Sequence, residues 1–332
     1  MKITVVGSGA WGTALAISLL KNGHDVTLWA RTAEKAEQMK QSRQNPRMKG
    51  ITLPQELNIT ADDTCVAGSR LVVIACPSMA IRSVCGKIAP YLDENAVMVS
   101  VTKGIEPETL LRMSQVVEEE TKRPVVALTG PSHAEELAQS NPTGCVAACP
   151  DQALAELVQD AFMTECFRIY TSPDIVGAEL GGALKNVIAL CTGVGDGMGC
   201  GDNCMAMLVT RGLSEMTRLG VAMGANRETF AGLTGMGDLI VTCTSKHSRN
   251  RQAGVLIGKG RTVEQAMTEV GAVVEGYYAA RSAAALAKEY GVDMPIVRAA
   301  CAVLYENFPA DQVVDRLLHR SKKSEQEDIV WN

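Results

Sequence analysis

No stretch of this 332-residue chain approaches the roughly 18 consecutive apolar residues of a membrane-crossing helix. The N-terminus has no charged region followed by an apolar run and a small-residue cleavage site, so a cytoplasmic protein is expected. An excess of basic charge is also missing. Lys and Arg number 32 against 37 Asp and Glu, a formal net charge of −5. That balance argues against coating nucleic acid or an anionic membrane, although local basic sites remain open. Internal repeats and low-complexity segments are absent, and with 46% apolar and 21% charged residues the chain is neither disordered, collagenous nor a coiled coil. The 11 cysteines lack the spacing of an oxidised scaffold: they sit in apolar runs such as Leu190-Cys191 and Val146 to Cys149, as buried reduced thiols would. Cys200 and Cys204 have ligand-like spacing, but no second Cys/His pair completes a zinc shell, so no metal is expected.

The length suggests two domains of roughly 150 residues each. Residues 2 to 6 read as a strand; then Trp11, Leu15 and Leu19 recur four apart on one helix face, Asn22-Gly23 ends that helix, and 25 to 30 is a second strand. Strand-like 71–75, a helix at 79–90, strand-like 96–101, a helix near 107–120 and strand-like 124–129 continue the alternation, which implies a parallel sheet covered on both faces. Segments 143–148 and 167–170 could add strands around a helix at 151–163. At Ser172-Pro173 a good N-cap and a first-turn proline open a run of helices: roughly 173–194, 203–220, 249–258, 262–269, 276–290, 295–307 and 310–319. The expectation is therefore an α/β Rossmann-type N-terminal domain over 1–172, a mainly α-helical substrate or catalytic domain over 173–320, and a frayed polar tail at 321–332.

Between the first strand and helix, Gly7-Ser8-Gly9-Ala10-Trp11-Gly12 satisfies G-x-G-x-x-G. In that position Gly7 permits the tight turn, Gly9 lets a pyrophosphate approach the backbone, Gly12 lets helix and strand pack, and the helix N-terminus supplies donors and partial positive charge. An acidic residue ending the second strand would select NAD and repel a 2′-phosphate. This strand ends Leu28-Trp29-Ala30-Arg31. Arg31 can pair with a phosphate, so NADP(H) should be accepted and could be preferred, with NAD(H) left open; the alternative for Arg31 is a solvated charge at a helix start.

In such sheets the ligand crevice lies beyond the carboxyl ends of the strands, where Lys103-Gly104 and Gly130-Pro131-Ser132-His133 stand. Ser132 has Glu135 three residues on, a capping-box spacing compatible with a ligand contact. His133 could face outward and is not nominated as an acid. Lys185 lies in Gly181 to Leu190, apolar on nearly every helix face and hence expected to be buried. A buried ammonium needs a partner or a task, and burial lowers its pKa toward the proton-transfer range; the alternative is a stem that snorkels to solvent. The Gly181-Gly182 pair suits a close approach. Thr242 to Arg251 brings hydroxyl, guanidinium and amide groups into a helix N-terminus, as a phosphate monoester requires, although an exposed capped helix would read similarly. Asp238, among glycines, could hold a substrate hydroxyl or orient a lysine.

The ordered set Gly7 to Gly12, Thr102-Lys-Gly-Ile-Glu106, Gly130-Pro-Ser-His-Ala-Glu135, Leu184-Lys-Asn186, Gly235-Met-Gly-Asp238, Cys243-Thr-Ser245, Ser248-Arg-Asn250 and Val273-Val-Glu-Gly276 resembles bacterial NAD(P)-dependent sn-glycerol-3-phosphate dehydrogenase over about residues 1 to 300. The resemblance implies reversible NAD(P)H-dependent reduction of dihydroxyacetone phosphate to sn-glycerol 3-phosphate, feeding phospholipid synthesis, in a cytoplasmic homodimer. It further implies that Lys185 is the general acid/base and that Lys103 and Asp238 act in the substrate site. Gly130, Ser132, Ser248, Arg249 and Asn250 would contact substrate. Gly7, Gly9, Ala10, Trp11, Gly12, Arg31, Lys103, Ala134, Arg249, Val273 and Glu275 would contact the cofactor, with Ala10 standing where some members carry Ser. Two rivals remain: an NADP-dependent hydroxy-acid dehydrogenase on the same plan, and a non-catalytic NAD(P)-sensing module.

Overall fold

The computed structural model describes residues 1–322, 324 and 325. The opening unit is β1 (Lys2–Val6), α1 (Ala10–Lys21) and β2 (Asp25–Trp29), followed by α2 (Ala33–Ser42), β3 (Asn58–Thr60), β4 (Leu71–Ile74), α3 (Ile81–Ile88), β5 (Val97–Ser100), α4 (Met113–Thr121) and β6 (Val125–Thr129). A five-residue α5 (Ala134–Ala138), β7 (Thr143–Ala148), α6 (Gln152–Phe162) and β8 (Phe167–Ser172) complete an eight-stranded sheet of order β3-β2-β1-β4-β5-β6-β7-β8. Both faces are covered. Val73, Val99 and Val126 enter one core, whereas Val72, Ile74 and Met98 enter the other, the two-residue period of a strand read on both sides.

Three features depart from the sequence-based expectation. Strands β1 to β6 are parallel, whereas β7 and β8, parallel to each other, run the opposite way, because the connection from β6 to β7 holds only the short α5 rather than a full crossover helix. The helix expected near 107–120 starts at Met113: Leu110 takes a left-handed φ of 58°, Ile105 bridges Arg112, and the buried Glu179 carboxylate accepts the Ser114 amide at 2.7 Å, setting the helix start from another element. Helix α2 was not anticipated, although Thr32 caps it by accepting from the Lys35 amide.

Beyond Ser172 come α7 (Ile175–Gly197), α8 (Gly201–Ala222), α9 (Arg227–Ala231), a π-helical turn (Leu233–Gly237), α10 (Asp238–Thr244), α11 (Arg249–Gly258), α12 (Val263–Val270), α13 (Glu275–Glu289), α14 (Pro295–Tyr305) and α15 (Ala310–Leu318). The short segments from α9 to α10 had no sequence forecast. Helix α7 is buried continuously from Gly177 to Leu190 and anchors a third core, that of the helical half, with Leu180, Leu184, Val187 and Ile188. It is the one helix among the described residues long and apolar enough to cross a membrane, but 83% of that window is buried inside the protein. All 11 cysteines are free; five are buried, five partly covered and Cys200 exposed, so fewer are fully buried than expected. The expected polar tail at 321–332 lies mostly outside the described residues.

Candidate active site

Sheet register brings the reacting segments to one edge. Val6 is paired with Trp29 and Ile74, Ile74 with Ser100, and Ser100 with Ala127, so the carboxyl ends of β2, β1, β4, β5 and β6 are level. The residues that follow, Gly7, Lys103 and Gly130 among them, line the crevice where strand order reverses between β1 and β4. Gly7 has φ +126° and lies so close to the Ala75 carbonyl that a Cβ would approach within 2.5 Å. A Cβ on Gly9, in contrast, would meet nothing within 4 Å, and no side chain caps α1. Open space before uncapped amides at a helix N-terminus fits the pyrophosphate of a dinucleotide. Trp11 packs edge-on against Phe167 with ring centroids 6.4 Å apart, flanking this entrance from α1.

Lys185 is 5% exposed and does not snorkel to solvent. Its Nζ donates to Asp238 Oδ1 and, at 2.7 Å, to Thr242 Oγ1. Thr242 can accept because its own hydroxyl proton goes to the Asp238 carbonyl, 2.6 Å away. The other Asp238 oxygen accepts from Lys103 Nζ at 2.6 Å, and Lys103 also donates to the Gly130 carbonyl at 2.9 Å. One buried carboxylate thus joins two ammonium groups, one from each half of the chain. Burial, reinforced by the Lys103 charge, brings the Lys185 pKa down to about 7, with Asp238 opposing the shift. Close packing makes this meeting feasible: a Cβ on Gly181 would collide with the Thr234 carbonyl of the π turn, and one on Gly182 would lie 2.9 Å from Thr129 Oγ1 and 3.3 Å from Lys103 Cγ. The π turn itself delivers Asp238 as the first residue of α10.

Ser248 caps α11, accepting from the Arg251 amide at 3.3 Å. Asn250 ties three helices together, donating to Asn186 Oδ1 at 2.9 Å and accepting the Gly276 amide at 2.8 Å. Arg249, the first residue of α11, keeps an exposed side chain, and desolvation by the surrounding protein lowers its pKa against the attraction of Glu275. Glu275, the first residue of α13, receives the Ser78 amide (3.3 Å) and hydroxyl (2.6 Å) from the segment after β4. Burial raises the Glu275 pKa despite those two donors. Ala134 is buried at the start of α5, Val273 is partly exposed ahead of α13, and Arg31 is exposed beyond β2.

Two local expectations are corrected. Ser132 does not form a capping box; its hydroxyl donates to the Gly130 carbonyl at 2.9 Å, and His133 occupies the N-cap without a side-chain bond, because α5 begins one residue later than that spacing assumes. His133 does not face outward: its ring packs against that of His247, centroids 6.0 Å apart, and burial lowers its pKa. Sequence reasoning missed Thr242 as a lysine partner, Asn186 as the mate of Asn250, and Ser78. A hydroxyl one helical turn after Asp238 was the available signal for Thr242; the other two depend on contacts far apart in the chain.

Residues 2–155 match the family described as NAD-dependent glycerol-3-phosphate dehydrogenase N-terminus, and residues 174–315 match the corresponding C-terminus family. The glycerol-3-phosphate dehydrogenase [NAD(P)+] of Fusobacterium nucleatum is 48% identical over 330 residues, covering 98% of each chain. That of Thermoanaerobacter sp. (strain X514) is 49% identical over 326 residues, covering 98% of this chain and 99% of the relative. The crystal structure of glycerol-3-phosphate dehydrogenase from Coxiella burnetii superposes with a TM-score of 0.92 at 33% identity, covering 96% of this chain and 99% of its own. With both halves matched and the cleft between them carrying the lysine–aspartate–lysine cluster, this chain belongs to the NAD-dependent glycerol-3-phosphate dehydrogenase family, oxidoreductases with an NAD-binding Rossmann domain.

Proposed function

We propose that the cleft catalyses reversible NAD(P)H-dependent reduction of dihydroxyacetone phosphate to sn-glycerol 3-phosphate, with Lys185 as the proton donor. The observation that carries this reading is a buried lysine, held by Asp238 and Thr242, whose pKa lies at about 7. When bound, the dihydronicotinamide supplies the hydride. Lys185 passes a proton to the carbonyl oxygen as charge develops there, leaving a neutral amine, and takes the proton back in the oxidation. Asp238 orients that ammonium, and Lys103 adds positive charge beside the same oxygen. Gly130 and Ser132 contact the substrate chain, and Ser248, Arg249 and Asn250 grip the remote phosphate at the N-terminus of α11, so that binding energy positions the ketone.

The glycine turn, Ala10, Trp11, Arg31, Ala134, Arg249, Val273 and Glu275 hold the cofactor, and Lys103 reaches it as well as the substrate. The family resemblance supports a cytoplasmic homodimer that supplies glycerol phosphate for phospholipids; cell fractionation and light scattering test those two points. For the reaction itself, the test is loss of reduced-nicotinamide absorbance on mixing protein, NADPH and dihydroxyacetone phosphate. Rapid oxidation is expected. Turnover of 2-keto acids instead, with inhibition by dicarboxylates rather than phosphate esters, would favour the hydroxy-acid rival, and tight binding without turnover would favour a sensor.

A further inference from the structure

Glu275 opens α13 in the helical half of the chain, yet its carboxylate is held by the sheet half. From the segment after β4, the Ser78 amide donates to Oε1 at 3.3 Å and the Ser78 hydroxyl to Oε2 at 2.6 Å. Ser78 is itself buried. Bare backbone makes the approach possible: a Cβ on Gly104, after β5, would stand 2.6 Å from Ser78 Cβ and 3.7 Å from Glu275 Oε2. Two donors from one buried residue, one on each carboxylate oxygen, fix the plane in which the carboxylate lies.

Among the described residues, those two donors are the only hydrogen-bond partners of the Glu275 side chain. An ionised carboxylate offers about four acceptor positions, so roughly half of its capacity is left for another donor. Its place in the sheet indicates which. Strands β4 and β5 lie beyond the switch point, in the half of the crevice that takes the second nucleotide of a dinucleotide. Lys103, directly before Gly104, bonds the same Asp238 that holds Lys185, so a nicotinamide passing hydride to a ketone beside Lys185 comes to this end. The charged group that faces Glu275 is Arg249 of α11, while Lys103 Nζ is committed to Asp238 and the Gly130 carbonyl. Burial raises the Glu275 pKa, and the two Ser78 donors, followed by Arg249, oppose that rise.

We propose that Ser78 is a positioning residue, reaching across the cleft to aim the Glu275 carboxylate at the nicotinamide end of the cofactor. The proposal rests on the reading of the crevice as a dinucleotide site with Glu275 among its cofactor contacts. Without the Ser78 hydroxyl the carboxylate keeps only the longer bond from the amide, and loses both its orientation and part of what holds it ionised.

The test is a binding titration without substrate, following the fluorescence of NADH, which has no group titrating near neutral pH. ADP-ribose, which keeps the adenosine, the pyrophosphate and the second ribose but lacks nicotinamide, serves as a displacing probe. Ser78→Ala should weaken NADH about tenfold, the scale of one hydrogen bond to a charged group, while ADP-ribose changes by less than about twofold. Ser78→Cys, with a weaker donor of similar shape, should fall between wild type and Ser78→Ala. On acidification, NADH affinity should begin to fall at a higher pH in Ser78→Ala than in wild type, because removing a donor lets the Glu275 pKa rise; a purely structural loss would weaken NADH by the same factor at every pH. In a Glu275→Ala background, Ser78→Ala should weaken NADH no further. Equal weakening of NADH and ADP-ribose, an unshifted pH profile, or an undiminished effect in the Glu275→Ala background overturns the role of Ser78. Failure of the wild type to bind NADH and NADPH alike would instead overturn the dinucleotide reading, a separate outcome.

Discussion

The two halves of the molecule both use bare glycine backbone, and for opposite ends. At the sheet edge, Gly9 has open space where a side chain would stand, so the backbone is left accessible to a ligand. In the helical half, the bare backbone of α7 is filled by protein. A Cβ on Gly193 would strike the Arg251 carbonyl and lie 3.0 Å from Gly254 Cα, and Gly197 meets Val255 and Gly258 in the same way one turn on. Small residues four apart on both α7 and α11 let the two helices touch backbone to backbone. Glycine in the first half makes room for a cofactor; in the second it sets how far the N-terminus of α11, the proposed phosphate seat, stands from Lys185.

The largest test of this contrast removes what the close packing positions. Lys185→Ala should reduce turnover ~100-fold or more while cofactor affinity survives, the usual scale of acid/base catalysis. Single-turnover kinetics and a parallel cofactor titration check both halves of that statement. On the proposed mechanism, reduction in the wild type requires the charged lysine and oxidation the neutral one. The rate of ketone reduction should therefore fall as pH rises through about 7, and the rate of alcohol oxidation should rise over the same range. Profiles with the same sign in both directions would take the proton away from Lys185.

Next in size, Gly193→Val should destabilise the protein by about 1–3 kcal/mol through overpacking of α7 against α11, read from denaturant unfolding. It should also raise the substrate KM, because α11 is pushed away. Arg249→Ala should raise the KM for dihydroxyacetone phosphate about tenfold, with a smaller effect on kcat, as loss of one charged phosphate contact predicts. An unaltered KM would remove Arg249 from the phosphate seat. Smallest in stability terms, Gly9→Ala should change unfolding by no more than about 0.5 kcal/mol, since the backbone is extended (φ −73°, ψ 179°) and the space is empty. Its effect should fall on cofactor affinity. If Gly9→Ala destabilised the protein as much as Gly193→Val, the distinction between the two kinds of glycine would be lost.

Much of this arrangement could be read from local pattern. The change from a two-residue to a 3.6-residue apolar period marked β1 and α1, and the run Gly181 to Leu190, apolar on nearly every helix face, announced the burial of Lys185. Other features had no local signal. Helix α2 reads as polar, with only Ala36 and Met39 buried, so its apolar stripe was too narrow to detect. The start of α4 was misplaced because a carboxylate from α7, 65 residues away in sequence, supplies its first partner. Thr129 Oγ1, buried beside Gly182 and without a hydrogen-bond partner, belongs to the cleft wall without any motif to mark it.

Alternation of strand and helix, the glycine turn between β1 and α1, and a lysine in a mostly apolar helix are properties of neighbours along the chain, and local sterics and hydrophobic periodicity suffice to produce them. That Asp238 meets both Lys185 and Lys103, that β7 reverses direction, and that Lys35 and Asn45 gather about Ser8 depend on segments brought together from tens to more than a hundred residues apart. Those meetings follow from packing, in which a buried charge must find its partner across the interior, wherever along the chain that partner lies.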